Sequence, residues 1–419
     1  MSDTLPWQEE ASIADAALLD DVPPPESASL VSATFAPAWA AVGSMTLGVF
    51  GLVTAEFLPA SLLTPMAADL GISEGTAGQA VTATATVALV ASLLVSAATR
   101  RIDRRLVLLA FTALLVVSNL IVAFAPDLTL LLLGRVLLGA ALGGFWAMSA
   151  ALAMRLVPEP MVPRALSIIF SGVSAATIFA APVGSYLGDL IGWRSVFLIA
   201  AVLAALTFVI QLATLPKMAP TGTARLRTLI DVLRRPGIGV GMFAAMLVFT
   251  GHFGFFTYIR PFLETVTGVG INAVAGILLG FGLANFVGTL AAGPMLERSL
   301  GMSLLAAPVL MCALGAGLVA LDSTPLADTL MVAGWGFAFG IVPVAWSTWL
   351  TRAVPDQAES AGGLLVAAVQ FAISVGAAGG GAIFDLRGAT GVFSAASLVL
   401  LVAAFMVVAG VRPRLRHLA

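Results

Sequence analysis

Gly51-Leu-Val-Thr-Ala-Glu56-Phe-Leu-Pro59-Ala-Ser-Leu-Leu-Thr-Pro65-Met-Ala-Ala-Asp69-Leu-Gly-Ile-Ser73 sets a carboxylate inside an apolar run otherwise long enough to cross a bilayer. Proline, serine and threonine interrupt the run just beyond that acid. A charge at membrane depth costs at least about 2.5 kcal/mol unless it faces a partner or a water-filled cavity. Glu56 is therefore held there by a partner, or it is there because a proton must move.

The rest of the chain narrows the choice. Of 419 residues, 60% are hydrophobic and only 10% charged, and the mean hydropathy is +1.05. A soluble chain of this length would have too few charges to cover its surface, so the fold class reads as all-α integral membrane. The single cysteine, Cys312, leaves no disulfide framework. Two histidines and one cysteine cannot build an ordinary zinc site. A net charge of −2, with no basic domain, argues against nucleic acid as a partner. No nucleophile–base pair or hydrolytic motif appears, so neither catalysis nor a cofactor is expected. The glycine-rich stretches around Gly143 and Gly379 lie inside apolar runs and lack a phosphate-binding lysine. They suit close helix packing, and an ion gradient is the simpler energy source.

At about 20 apolar residues per crossing, twelve transmembrane helices are expected. Six run roughly 39–63, 77–98, 106–124, 128–154, 165–191 and 196–215; six more run 237–262, 273–296, 304–321, 326–350, 362–384 and 392–411. The domain plan is an acidic, disordered cytoplasmic tail (1–37), an N-terminal six-helix bundle (38–215), a linker (216–236), a C-terminal six-helix bundle (237–411) and a basic tail (412–419). The first tail carries seven acids and no Lys or Arg, a composition that cannot form a core. Arginines fill one set of connections, including Arg100, Arg101, Arg155, Arg298 and Arg352, whereas the opposite set holds only Arg194 and Arg387. Positive residues mark the cytoplasmic side, so both termini are expected there.

The halves repeat each other. Arg155-Leu-Val-Pro158-Glu159 matches Arg352-Ala-Val-Pro355-Asp356, and Asp189-Leu-Ile-Gly192 matches Asp385-Leu-Arg-Gly388 at nearly the same offset. Pro59 is matched to Pro261. A duplicated six-helix unit is the layout of a transporter whose site lies between pseudo-symmetric halves.

Few polar groups lie at membrane depth. Glu56 and Arg135 both sit about seven residues from the outer end of their spans, roughly 10 Å below the boundary. That depth match makes them a candidate proton-coupling pair, with a static ion pair as the plainer alternative. His252, Phe255, Phe256 and Tyr258 crowd the outer half of span seven, where aromatic faces suit a planar ring and neutral histidine both donates and accepts. Asn119, Asn285 and Gln370 lie inside spans three, eight and eleven, either bonding helices together or touching substrate. Arg260 precedes Pro261 and reads as interfacial.

Several segments resemble the major facilitator superfamily, over nearly all of residues 38 to 411. They are Glu56-Phe-Leu-Pro-Ala-Ser-Leu-Leu-Thr-Pro65, Gly134-Arg135-Val-Leu-Leu-Gly139, Ala181-Pro182-Val-Gly184 and Gly192-Trp193-Arg194-Ser-Val-Phe197. Asp103-Arg104-Arg105 stands where that superfamily has its loop between spans two and three, although Thr99 replaces the leading glycine. The resemblance implies the major facilitator fold and alternating access. It gives Glu56 the proton-site role, with Arg135 as its partner. Asp103, Arg104, Arg105, Pro182 and Gly184 take gating roles. Within the superfamily the chain is similar to the drug:proton antiporter and sugar-efflux branch. Gly143-Gly-Phe-Trp146, Phe255-Phe-Thr-Tyr258 and Val342-Pro-Val-Ala-Trp346 look like bacterial inner-membrane exporters of purine ribonucleosides. That likeness implies a nucleoside-like substrate such as inosine or guanosine, protons as the coupled ion, a lipid bilayer around a monomer, and no cofactor. A broader multidrug or sugar exporter is the alternative.

Overall fold

The computed structural model describes residues 37–99, 101–158, 161–220, 231–321, 324–354, 356 and 358–411. The expected acidic tail falls outside them except for Pro37, as do the basic tail at 412–419 and residues 221–230 of the linker.

Every long element is helical. In chain order they are α1 (Trp39–Ser61), α2 (Leu63–Leu70), α3 (Glu74–Ala77), α4 (Gln79–Ala98), α5 (Arg104–Ala123), α6 (Leu128–Leu156), α7 (Val162–Ile191) and α8 (Trp193–Thr214). They continue as α9 (Ile238–Thr257), α10 (Ile259–Thr265), α11 (Ile271–Ala320), α12 (Pro325–Ala353) and α13 (Ala358–Met406), which ends in a π turn at Val407–Val411. Several starts are set by side-chain caps that satisfy orphan N–H groups. Asp127 accepts from Leu130 N at α6, Thr324 from Ala327 N at α12 and Ser73 from Thr76 N at α3.

Ten helices among the described residues are long and apolar enough to cross a membrane. Two of them, α11 with 50 residues and α13 with 49, would be more than about 70 Å long if straight, over twice the thickness of a hydrocarbon core. Each is broken at one residue. Ser299 is extended at φ −166°, and Gly388 takes φ 67°, a left-handed conformation only glycine adopts freely. Each helix therefore crosses twice, which gives the twelve crossings expected from the sequence. The sequence suggested loops at these two places; each turnaround needs only one non-helical residue.

The first and seventh crossings are also broken, and for one shared reason. α1 gives way to α2 at Leu62, and α9 gives way to α10 at Tyr258. Pro65 and Pro261 each stand three residues further on. A proline ring clashes with the carbonyl four residues back, at Ser61 or Thr257, so the helix yields just after that carbonyl. Pro261 therefore has its structural counterpart in Pro65. The expected match with Pro59 is corrected, because Pro59 stays inside α1.

Helices α1 and α4–α8 pack on one another, and α9 and α11–α13 form a second set. The sets meet along two seams, α4 against α13 and α7 against α11. On the second seam a Cβ on Gly282 would lie 2.8 Å from the Thr177 carbonyl oxygen and 2.9 Å from Ile178 Cα. Gly282→Leu should therefore destabilise the packed seam by about 1–3 kcal/mol. Thermal unfolding in detergent should show a lower midpoint than wild type; an unchanged midpoint would mean that the seam gives way freely.

The face carrying Trp39 and Val411 is the proximal face, and the other is distal. Among the described residues, the hydrogen bonds and ion pairs joining the two sets lie at the distal side or near the middle. Thr86 meets Ser374 at 2.7 Å between α4 and α13. Closer to the distal face, Thr64 donates to Glu264 at 2.6 Å and Tyr258 Oη donates to the Gly75 carbonyl at 3.5 Å. Arg260 adds three bonds of its own across the same gap. The molecule is sealed distally, and its cavity runs from the Glu56 level toward the proximal face.

Candidate transport cavity

The cavity between the two sets has a volume of about 630 Å³, within the range of small-molecule sites. Its wall is apolar and rich in aromatic rings. Phe57 comes from α1, Trp146 from α6, Phe170 from α7, Phe249, Phe253 and Phe256 from α9, Phe281 from α11 and Phe339 from α12. Polar atoms are few, and among the described residues Glu56 and His252 are the only titratable groups on the wall. Asn285, Gln370, Ser174 and Thr177 add neutral polar groups.

Five of the expected site residues thus come together: Glu56, His252, Phe256, Asn285 and Gln370. Glu56 faces the cavity from α1, with the Gln370 amide of α13 beside its carboxylate. Asn285 also ties two helices, since its Nδ2 donates to the Gly336 carbonyl of α12 at 3.3 Å. His252 stacks on Phe339 with ring centroids 3.3 Å apart and planes within 2°. It also lies nearly parallel to Phe256 at 5.7 Å.

Three expected substrate contacts are elsewhere. Phe255 points away from the cavity, stacking on Trp335 at 3.8 Å and packing on Phe393 at 4.5 Å. It is adjacent to Phe256 in sequence, and neighbouring positions on a helix do not share a face. Tyr258 sits at the helix break, where its hydroxyl donates to the Ala377 carbonyl of its own helix set at 2.9 Å; its longer, 3.5 Å contact to the Gly75 carbonyl of the other set makes it part of the distal seal. Asn119 is buried within α5, away from the cavity, with neither amide atom partnered among the described residues.

Arg135 is wholly buried, but it makes no ion pair with Glu56 among the described residues. Its guanidinium spans two helices through main-chain carbonyls. Nη1 donates to Ala55 O at 2.7 Å, Nη2 to Glu56 O at 3.5 Å and Nε to Ala80 O at 3.1 Å. The depth match seen in the sequence is real, while the contact is to the backbone that carries the acid. A lysine places one compact charge and cannot reproduce this fork. Arg135→Lys should therefore leave a folded protein with most transport lost, and Arg135→Ala should also unfold at a lower temperature because buried carbonyls lose their donors. Counterflow rates and detergent melting curves check both; wild-type values in both variants would reduce Arg135 to inert packing.

The loop and gating residues have local roles. Asp103 caps α5 by accepting from Arg105 N at 2.8 Å, and it also accepts from Met218 N at 3.1 Å. Arg104 donates to Thr99 Oγ1 at 2.8 Å, and Arg105 reaches the Leu212 carbonyl at 2.6 Å. These contacts tie the proximal ends of the first helix set together. Pro182 lies inside α7. Two residues on, a Cβ at Gly184 would lie 2.7 Å from Leu58, so α7 and α1 approach closely near the distal face.

The distal seal is built on Arg260, which the sequence suggested was interfacial. It is 2% exposed. It pairs with Asp189 of α7 at 2.7 Å and with Glu264 of its own helix at 2.8 Å, and donates to the Ser61 carbonyl at 2.7 Å and Ser185 Oγ at 3.3 Å. The i,i+4 spacing of Arg260 and Glu264 and the repeated Asp189 were visible signals, but the partner helix was not. Outside the membrane, Asp69 pairs with Arg194, and that hydrogen-bonded guanidinium holds its carboxyl below the usual range. Trp193 adds a bond to Asp69 at 3.2 Å.

Comparison with known proteins agrees with this geometry. The family model described as Major Facilitator Superfamily matches residues 45–377. The chain is 46% identical to the purine ribonucleoside efflux pump NepI of Escherichia coli (strain K12), over 90% of this chain and 95% of that protein. The pump of the same name from Salmonella enteritidis PT4 (strain P125109) matches at the same identity and over the same shares. Among solved structures, a bacterial homolog of the human lysosomal transporter Spinster, inward-facing and occupied, aligns at TM-score 0.69 and 15% identity, covering 88% of this chain and 96% of that one. The human organic anion transporter MFSD10 (TETRAN) aligns at TM-score 0.63 and 16% identity, over 88% and 99%. Both structures share the fold. With twelve crossings in two sets around one cavity, and a family model matching most of its length, the chain belongs to the major facilitator superfamily.

Proposed function

We propose that this protein exports purine ribonucleosides, such as inosine and guanosine, in exchange for protons. The observation that carries the substrate is the 46% identity, over nearly the full length of both chains, to pumps named for purine ribonucleoside efflux. The cavity suits that class. Flat aromatic walls favour a planar base, and a few polar groups offer hydrogen bonds that set its orientation. Glu56 is the proton site: it faces the cavity, so proton and substrate compete there and displace each other. Arg135 supports it through the backbone. His252, Phe256, Asn285 and Gln370 are the substrate contacts.

The two helix sets, 38–215 and 237–411, act as rigid bodies joined by the 216–236 linker. Opening the distal side requires the Arg260 contacts to part while the proximal ends close. The arginine-rich connections lie on the proximal face, which makes it cytoplasmic, with both termini on that side of a bacterial inner membrane. The working unit is a monomer, and the protein performs no covalent chemistry.

The direct test is radiolabelled inosine counterflow in proteoliposomes, with and without an imposed pH gradient. Inosine should exchange, and an inside-acid gradient across vesicles of matching orientation should drive its accumulation. Arabinose and a lipophilic cation, run in the same vesicles, should fail to compete. Competition by either at inosine-like concentrations would replace this reading with a broad drug or sugar exporter.

A further inference from the structure

His252 is held by two aromatic rings and by a hydrogen bond at its edge. Phe339 covers one face, and Phe253 packs edge-on at 4.9 Å. At the ring edge, the Trp335 indole Nε1–H donates to His252 Nδ1 at 3.1 Å. Trp335 comes from α12, is fully buried, and is itself pinned by its stack on Phe255. An indole N–H is a donor and nothing else. The nitrogen facing it must therefore carry a lone pair, and a neutral imidazole with a bare Nδ1 has its proton on Nε2. No protein acceptor for Nε2 exists among the described residues, and His252 lines the cavity.

We infer that Trp335 is a positioning residue for substrate recognition: it holds His252 as the Nε2–H tautomer, so that the cavity presents a hydrogen-bond donor to an acceptor edge of the bound base. In a 6-oxopurine that edge carries N7 and O6, both acceptors. The ligand part of this inference rests on the purine reading above, whereas the tautomer follows from the tryptophan alone. The remaining wall is consistent with the division of labour. Phenyl rings supply stacking without direction, and the His252 N–H supplies direction. A site built to bond a polar edge rejects analogues lacking it more sharply than an apolar pocket does.

The chain has only two histidines, His252 and His417, so a His417→Gln background leaves one imidazole to observe. With ¹⁵N-labelled histidine in that background, the spectrum of the detergent-solubilised or reconstituted protein should show a protonated Nε2 and a bare Nδ1. Trp335→Phe keeps an aromatic ring on Phe255 while removing the donor, and it should shift the signal toward a mixture of tautomers. In counterflow, the otherwise unmodified protein should prefer inosine over 7-deazainosine, which lacks N7, or over purine riboside, which lacks O6, by about three- to tenfold for the contacted atom. Trp335→Phe should reduce that preference to within about twofold.

A protonated Nδ1 in the His417→Gln protein would overturn the inference, and that measurement stands even if Trp335→Phe fails to fold. An unchanged tautomer and unchanged analogue preference in Trp335→Phe would also overturn it. If the vesicles carry no inosine at all, the purine reading falls, and the nitrogen spectrum still decides the tautomer.

Discussion

Glu56→Gln should yield a folded, membrane-inserted protein whose proton-driven efflux is abolished. The substitution keeps the shape and removes the ability to take or release a proton. Folding should survive because the nearby cation does not depend on the carboxylate: Arg135 is satisfied by the carbonyls of Ala55, Glu56 and Ala80. Coupling should not survive, because among the described residues His252 is the only other titratable group on the cavity wall, and its Nδ1 already accepts from Trp335. Exchange without net proton movement is the control. Inosine counterflow with no pH gradient should continue at a measurable rate, while uptake driven by a gradient falls to that of empty liposomes. A normal substrate-induced pH change in Glu56→Gln proteoliposomes, followed with an entrapped pH dye, would sink the assignment.

Arg260→Ala should have the second large effect, this time on conformation. Its guanidinium holds Asp189 of one helix set and Glu264 of the other, and it bonds the Ser61 carbonyl at the end of α1. Removing one member of a buried ion-pair network costs about 3–5 kcal/mol, largely because the remaining charges lose their partner. That cost falls on the distally sealed state, in which the two sets meet, and less on a state where water reaches the carboxylates. A shift of about 3 kcal/mol changes a two-state ratio by about a hundredfold. Spin labels at the exposed distal positions Ala68 and Asn272, with Cys312 replaced, should report a longer separation in Arg260→Ala. Arg260→Lys should fall between the two, since one ammonium cannot serve both carboxylates and two further oxygens in a fixed fork. Unchanged distance distributions in both variants would leave Arg260 no part in closure.

The twelve crossings were legible because hydropathy is a property of composition, and a bilayer demands it of every span. Element ends were less so. Ser299 and Gly388 turn the chain within a single residue, and such a turn leaves almost no polar run to read. The cavity wall was legible where a polar group had to be tolerated at depth, as with Glu56, His252, Asn285 and Gln370. It was misread where direction matters: Phe255 and Phe256 are neighbours in sequence, yet one packs against Trp335 and the other against substrate space. Arg260 was read as interfacial because Pro261 suggests a span end. In the first turn of a helix, however, a proline lacks only an N–H that would be unpaired anyway, so the helix restarts as α10 and carries the arginine inward. Trp335 gave no signal of its own; a buried indole needs an acceptor, and only the fold shows which one it finds.

The paired helix breaks at Leu62 and Tyr258 have a further consequence. Glu56 lies six residues before the first break, and His252 lies six residues before the second. The two ionisable side chains that line the cavity among the described residues therefore occupy the same position of a duplicated unit. That matched position holds an acid in one half and, in the other, an imidazole whose Nδ1 accepts from Trp335. On the function proposed above, the two copies divide the work: one takes the driving ion and the other reads the cargo. Two imidazoles at that position would leave no carboxylate to carry the ion, and two carboxylates would leave no fixed N–H donor for the cargo.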